Sequence, residues 1–160
     1  MKEMKISFLK TRTYVFLIIL IGLLLFTKGL TNGFVGDDEL QISNNIKAHS
    51  IINIPSFFTG STYENGGADS IAGIFYRPIM MSVFSLIYSV SGNDPLLFHL
   101  VQLLLHITNA ALLFILLRRF FQNPTSFIIS VIFLVHPVNS ETVLYAANLQ
   151  EVLFFFFGIT

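Results

Sequence analysis

The sequence predicts an all-α integral membrane protein, a fragment of a multi-spanning helical bundle with about three to four transmembrane helices. Three observations carry this. Of the 160 residues, 54% are hydrophobic and only 11% are charged, too few to cover a soluble domain of this size. Two long apolar runs, 14–30 and 95–117, are nearly or wholly free of charge. Basic residues gather where such runs would meet the cytoplasm. Net charge is zero, so nothing points to nucleic acid, and with no cysteine the chain has neither disulfides nor thiolate metal ligands.

The first span is 14–30, about 17 residues, the short end for a bilayer crossing. Lys28 near its end can snorkel to the interface. Lys2, Lys5, Lys10 and Arg12 precede it, which predicts a cytoplasmic N-terminus. A signal peptide is the rival reading, but Thr31-Asn32-Gly33-Phe34 offers no small-residue cleavage pattern.

An outward loop is expected over 31–93. It opens with three adjacent carboxylates, Asp37, Asp38 and Glu39, where a membrane helix should end. Acids at that depth are costly to desolvate, so they have a task or a partner. Ile51 to Phe58 suggests a short interfacial helix or strand stopped by Gly60, and Gly66-Gly67 suggests a turn. Residues 79–90 are apolar but too few to cross alone, and Ser82, Ser85 and Ser89 give them one small polar face. The spacing predicts an interfacial helix; a short tilted span is the alternative.

The second span is 95–117. Asp94 suits an N-cap and Pro95 the first helical position, while Arg118-Arg119 ends it on the cytoplasmic side. His99, Gln102, His106 and Asn109 fall on one face and are expected to face protein rather than lipid. They could line a substrate groove or bond to neighbouring helices; the second reading is preferred, and a metal site is less favoured still. A third span is expected over 124–136, ending at His136-Pro137. An outward loop, 137–151, would follow, and then a truncated transmembrane helix, 152–160. That last run is too short to cross, so the chain is expected to be a fragment of a longer protein or a truncated gene product. Asp37–Glu39, Glu141 and Glu151 would then share one compartment.

The segments FVGDDELQISNN, FYRPIMMSVFSLIYSVSGNDPLLFHLVQLLLHITNAALLFILLRR and HPVNSETVLYAANLQEVLF resemble the N-terminal part of GT-C membrane glycosyltransferases. The group they resemble most is the transmembrane O-mannosyltransferases with tetratricopeptide repeats and their bacterial relatives. The resemblance runs from about Thr31 onward. It implies transfer of a sugar, mannose or another hexose, from a polyprenyl-phosphate donor. The acceptor would be a hydroxyl of a protein or glycan on the extracytoplasmic face of a bacterial inner membrane or its equivalent. It implies that Asp37 is the catalytic base and Asp38 the second acid of the pair. Arg77 matches the Tyr-Arg-Pro arginine, and His136 and Glu141 the His-Pro…Glu motif, as donor-site residues. Glu151 falls in Leu149-Gln150-Glu151, where many relatives have Arg-x-Asp, a departure from the pattern.

The chemistry suits these residue types. A carboxylate can take the proton of an attacking hydroxyl, and an arginine fork can neutralise a leaving phosphate. A divalent metal is compatible with the acids, but the sequence requires no cofactor. Plainer roles stay open: a solvated turn for Asp37–Glu39, an interfacial anchor for Arg77, and capping or turn roles for His136 and Glu141. The competing function is a non-catalytic membrane scaffold or transporter fragment, which needs only packing and polar helix faces.

Overall fold

A computed structural model describes residues 2–59 and 75–160, with side chains from residue 11 onward. Gly60 and the Gly66-Gly67 turn lie outside the described residues. No strand occurs among the described residues. The helices are α1 (Lys2–Phe26), α2 (Ile54–Phe57), α3 (Pro78–Ser91), α4 (Pro95–Leu117), α5 (Asn123–Val135), α6 (Pro137–Leu144) and α7 (Leu149–Ile159). Among the described residues, two stretches are long and apolar enough to cross a membrane, Thr11–Thr31 and Pro95–Leu117; a third arises if α5 and α6 count as one bent span. The described residues are thus all-α, in keeping with an integral membrane protein.

The helix α4 is the hub, with α1, α5 and α7 packed around it. Asp94 starts it: its carboxylate accepts the Leu96 N–H at 3.0 Å, and Pro95 occupies the position that needs no donor. Where α1 crosses α4, Gly22 lets the backbones approach. A Cβ at Gly22 would stand 2.6 Å from Ile107 Cγ1. Lipid offers helices no hydrophobic drive to associate, so such close van der Waals contact holds them together. Ile18, Leu103, Ile107, Ala110, Phe114, Leu134 and Val143 form the core around this crossing.

A second core lies at the end of the bundle where the loop after α1 folds in. Glu39–Ser43 forms a π-helical turn, and Ile46–His49 and Ile51–Asn53 form 3₁₀ turns. Ile42, Ala48 and Phe57 from this segment bury against Met80, Met81, Phe84 and Ile87 of α3, with Phe98, Ala146, Leu149 and Leu153 completing the cluster. The His49 ring stacks on Tyr88, centroids 3.9 Å apart. At 14 residues, α3 is about 21 Å long, short of a hydrocarbon core of about 30 Å. It ends at Gly92, whose φ of +59° is open to few other residues.

The structure adds detail to two expected segments. The segment 124–136 forms the 13-residue α5, about 20 Å long and too short to cross alone, and it passes as a span only together with α6. The segment 137–151 holds α6, a 3₁₀ turn (Ala146–Asn148) and the start of α7. The cause of the break between α5 and α6 is local. His136 precedes proline and is held extended, ψ 131°, which breaks the helix. Pro137 then restarts it, with His136 Nδ1 accepting the Val138 N–H at 3.2 Å, so that α6 leaves α5 at 57°. The polar composition that suggested a loop is that of a short capped helix. The truncated helix expected at 152–160 begins at Leu149.

Candidate active site

The polar face of α4 works inward. His99, Gln102, His106 and Asn109 are all buried. His106 Nε2 donates to the Leu134 carbonyl at 3.0 Å, and Asn109 Nδ2 to the Val152 carbonyl at 2.9 Å. Gln102 Nε2 donates to the carbonyls of Thr142 and Tyr145. Leu134 and Thr142 lie in the last turns of their helices, where carbonyls lack intrahelical partners, and the Tyr145 carbonyl just past α6 adds Gln102 to the Asn148 N–H that it already accepts. In lipid an unsatisfied carbonyl costs several kcal/mol, so this stripe allows the chain to break between α5, α6 and α7 at depth. Gln102, His106 and Asn109 bond to neighbouring helices, while the ring nitrogens of buried His99 have no hydrogen-bond partner among the described residues.

The acid turn is built by Gly36 and clasped by Asp38. Gly36 sits at φ +55°, and the Glu39 and Asp38 amides bond back to the Gly36 and Val35 carbonyls. This turns the three carboxylates apart. Asp38 is fully buried, while Asp37 and Glu39 are exposed. Asp38 Oδ1 accepts the Ala147 N–H at 2.7 Å, and Oδ2 accepts the Val35 N–H at 3.3 Å. One side chain thereby ties the loop after α1 to the turn before α7, 109 residues on. Burial pushes the Asp38 carboxyl above the ordinary 3.8; the N–H groups of Ala147, Val35 and Ala146 and the nearby His99 ring pull the other way. The Phe34 ring meets Phe98 edge-on at 5.3 Å, seating the loop on α4.

Arg77 stands at the mouth of a groove of about 610 Å³ between the start of α3 and α7. Ile79, Met80, Leu153, Phe154 and Phe157 make its walls largely apolar; Tyr76, Arg77 and Gln150 bring polar groups to it. The Arg77 guanidinium lies over the Phe75 ring, 4.7 Å from its centroid. The Tyr76 hydroxyl donates to the Phe58 carbonyl at 3.1 Å, tying the segment that enters α3 to the end of α2.

The candidate residues therefore divide. Asp37 is exposed on a turn whose neighbour Asp38 is seated on Ala147, and Arg77 faces α7 across from Gln150, three positions further along. The short segment 145–150 thus receives both. His136 and Glu141 are exposed outside the groove, and His136 serves as the cap of α6. Glu151 turns to the other side of α7, where its carboxylate accepts the Thr142 hydroxyl at 3.2 Å. Among the described residues, no group of three or more histidines, aspartates and glutamates gathers to hold a metal, so no chemical step is drawn through one. Gln150, Tyr145 and the Ala147 amide carry no signal in the sequence; only the fold brings them here.

Several curated proteins are similar to this chain. Human protein O-mannosyl-transferase TMTC3 is 27% identical over 121 residues, covering 76% of this chain and 13% of that protein. Human protein O-mannosyl-transferase TMTC1 is 28% identical over 133 residues, 81% of this chain and 15% of that protein. The chain is related to the protein O-mannosyl-transferases. Drosophila melanogaster Tmtc1, of the same description, is 27% identical over 124 residues, 77% of this chain and 14% of the fly protein. The chain therefore spans about one-seventh of the length of these O-mannosyl-transferase relatives. No family model matches it, and no solved structure does.

Proposed function

We propose that this chain is the N-terminal part of a GT-C membrane glycosyltransferase, acting from a polyprenyl-phosphate sugar, mannose by analogy with its relatives, onto a protein hydroxyl on the extracytoplasmic face. The observation that carries the reading is the groove at Arg77. It sets the Arg77 guanidinium beside apolar walls that include the exposed Phe154 and Phe157. A polyprenyl phosphate presents the matching pair of an apolar chain and an anionic head. The exposed Asp37 is anchored, through Asp38, to the segment that leads into the same groove.

In this reading the acceptor hydroxyl attacks the anomeric carbon of the sugar while the bond to the lipid phosphate breaks. Asp37 takes the hydroxyl proton. The transition state is oxocarbenium-like, and negative charge grows on the departing phosphate oxygen. Arg77 offers that phosphate two parallel N–H donors. Gln150, across the groove, can bond to a further phosphate oxygen or to the sugar. The cytoplasmic N-terminus and outward acid turn belong to the same proposal, resting on the lysines before α1 and on Arg118-Arg119.

The test is mannose transfer from a polyprenyl-phosphate donor by the full-length protein in membranes. Asp37→Asn keeps size but removes the proton acceptor, and a lost general base typically costs about 100- to 10,000-fold in rate. Arg77→Lys keeps the charge but loses the fork, and should raise the donor KM. Transfer by Asp37→Asn at the wild-type rate would remove Asp37 from the mechanism.

A further inference from the structure

On the face of α7 away from the Arg77 groove lies a second, smaller chamber of about 90 Å³, among α4, α5, α6 and α7. Its oxygen-bearing side chains are Asn109, Asn139, Thr142 and the partly exposed Glu151; His106 also lines it, as do Phe133 and Phe155, stacked at 4.6 Å. We propose that this chamber binds one monovalent metal cation of the sodium or potassium class.

The argument begins with where the donors go. Asn109 is buried and its amide N–H₂ is committed to the Val152 carbonyl, which leaves Oδ1 buried with no partner. Asn139 likewise commits its N–H₂ to the Phe133 carbonyl at 2.7 Å. The Thr142 hydroxyl gives its hydrogen to Glu151 and keeps its lone pairs. His106 Nε2 faces the Leu134 carbonyl, so the hydrogen belongs there and the neutral ring has only an acceptor left. The Asn109, Asn139 and His106 side chains each donate to a backbone carbonyl, and Asn109 Oδ1, the Thr142 lone pairs and the Glu151 carboxylate are left as acceptors in the lining. Such a lining calls for something positive.

Charge and size narrow the choice. One carboxylate with neutral amide and hydroxyl oxygens balances a single positive charge, whereas divalent sites of the calcium type gather several carboxylates. Oxygen ligands select hard cations over soft ones. Glu151 Oε2 and Thr142 Oγ1 lie 3.2 Å apart, a spacing at which both can ligate one ion at about 2.4 Å, the reach of a hard cation of calcium's size. The volume accepts one ion with one or two waters, at about 30 Å³ of liquid volume per water. An ion there would join four helices at a point where short segments meet. This site does not depend on the glycosyltransferase reading.

Thermal unfolding of the purified full-length protein, at constant ionic strength in sodium, potassium, magnesium or choline chloride, tests it. Binding to the folded state alone makes Tm rise with free ligand. The expected result is a saturable rise in Tm in sodium or potassium chloride over choline, absent in Glu151→Gln and retained in Glu141→Gln, which lies outside the chamber. Thr142→Val, which removes one ligand at nearly constant volume, should raise the half-saturating ion concentration by about tenfold, and it carries the test if Glu151→Gln does not fold. Equal Tm in all four salts would mean that the chamber holds water only and would overturn the proposal. So would a sodium- or potassium-specific rise that survives Glu151→Gln, or a rise confined to magnesium.

Discussion

Replacing Asp38 by alanine should loosen the acid turn from the rest of the bundle. The carboxylate is fully buried and accepts two backbone N–H groups, at 2.7 Å from Ala147 and 3.3 Å from Val35. A hydrogen bond to a charged group contributes about 1.5–3 kcal/mol, so the short bond belongs near the top of that range and the long one near the bottom. Their sum is about 4 kcal/mol, and release of the buried group's desolvation cost offsets about 1–2 kcal/mol of it. The net loss for Asp38→Ala is therefore about 2–3 kcal/mol. Asp38→Asn keeps the acceptor for Ala147 and gives up only the weaker bond, so it should lose about 1 kcal/mol. The pH dependence has a definite sign. Burial raises the folded-state pKa of Asp38 above 3.8, so the folded chain holds this proton more tightly than the unfolded chain. Its contribution therefore weakens as pH rises through the raised pKa and recovers as pH falls toward 3.8, opposite to a salt-bridged aspartate. Asp38→Asn should flatten that slope. Denaturant unfolding in detergent gives the energies, and hydrogen exchange of residues 145–149 reports the Ala147 amide. If Asp38→Ala unfolds within about 0.5 kcal/mol of wild type, the kind of change seen for ordinary surface substitutions, and Ala147 exchanges no faster, the clasp is not a stabilising contact.

Gly22→Val would press a side chain into Ile107, and overpacking of this kind typically costs about 1–3 kcal/mol; a Tm unchanged from wild type would refute the close crossing of α1 and α4. Gln102→Leu removes the donor from the Thr142 carbonyl and one of the two donors from the Tyr145 carbonyl, which keeps the Asn148 N–H, and should cost about 1–3 kcal/mol, whereas Leu104→Ala, at an exposed position, should cost less; equal losses would argue against the stripe as the glue between helices. Cysteine at Ser140 should react with an impermeant thiol reagent from outside the cell, with no native cysteine to give background; protection there would reverse the proposed topology.

The sequence made α4 legible end to end, because an uncharged run stood between an Asp-Pro start and an Arg-Arg stop. It also marked the residues that hold the bundle together, since four polar side chains on one face of an apolar helix must turn inward. Short-range composition gave no sign of the helix within 137–151. Asn139, Ser140 and Glu141 read as loop residues, yet Asn139 bonds back to the Phe133 carbonyl and the segment coils behind Pro137. The difference between Asp37 and Asp38 was not legible at all. Adjacent carboxylates look alike in sequence; a backbone amide 109 residues away decides which is buried. The Arg77 groove was half visible, as an arginine before a proline, while its other wall depends on how α7 leans against α3.

The contacts that α4 makes through Gln102, His106 and Asn109 end on carbonyl oxygens of its neighbours rather than on their side chains. A carbonyl is the same whatever residue carries it. The alignment of α5, α6 and α7 along the membrane normal is therefore written almost wholly in α4, and its neighbours can change identity at those points without slipping. Evolution could revise the outer helices freely, for lipid thickness for instance, while three side chains on one helix keep the parts in step.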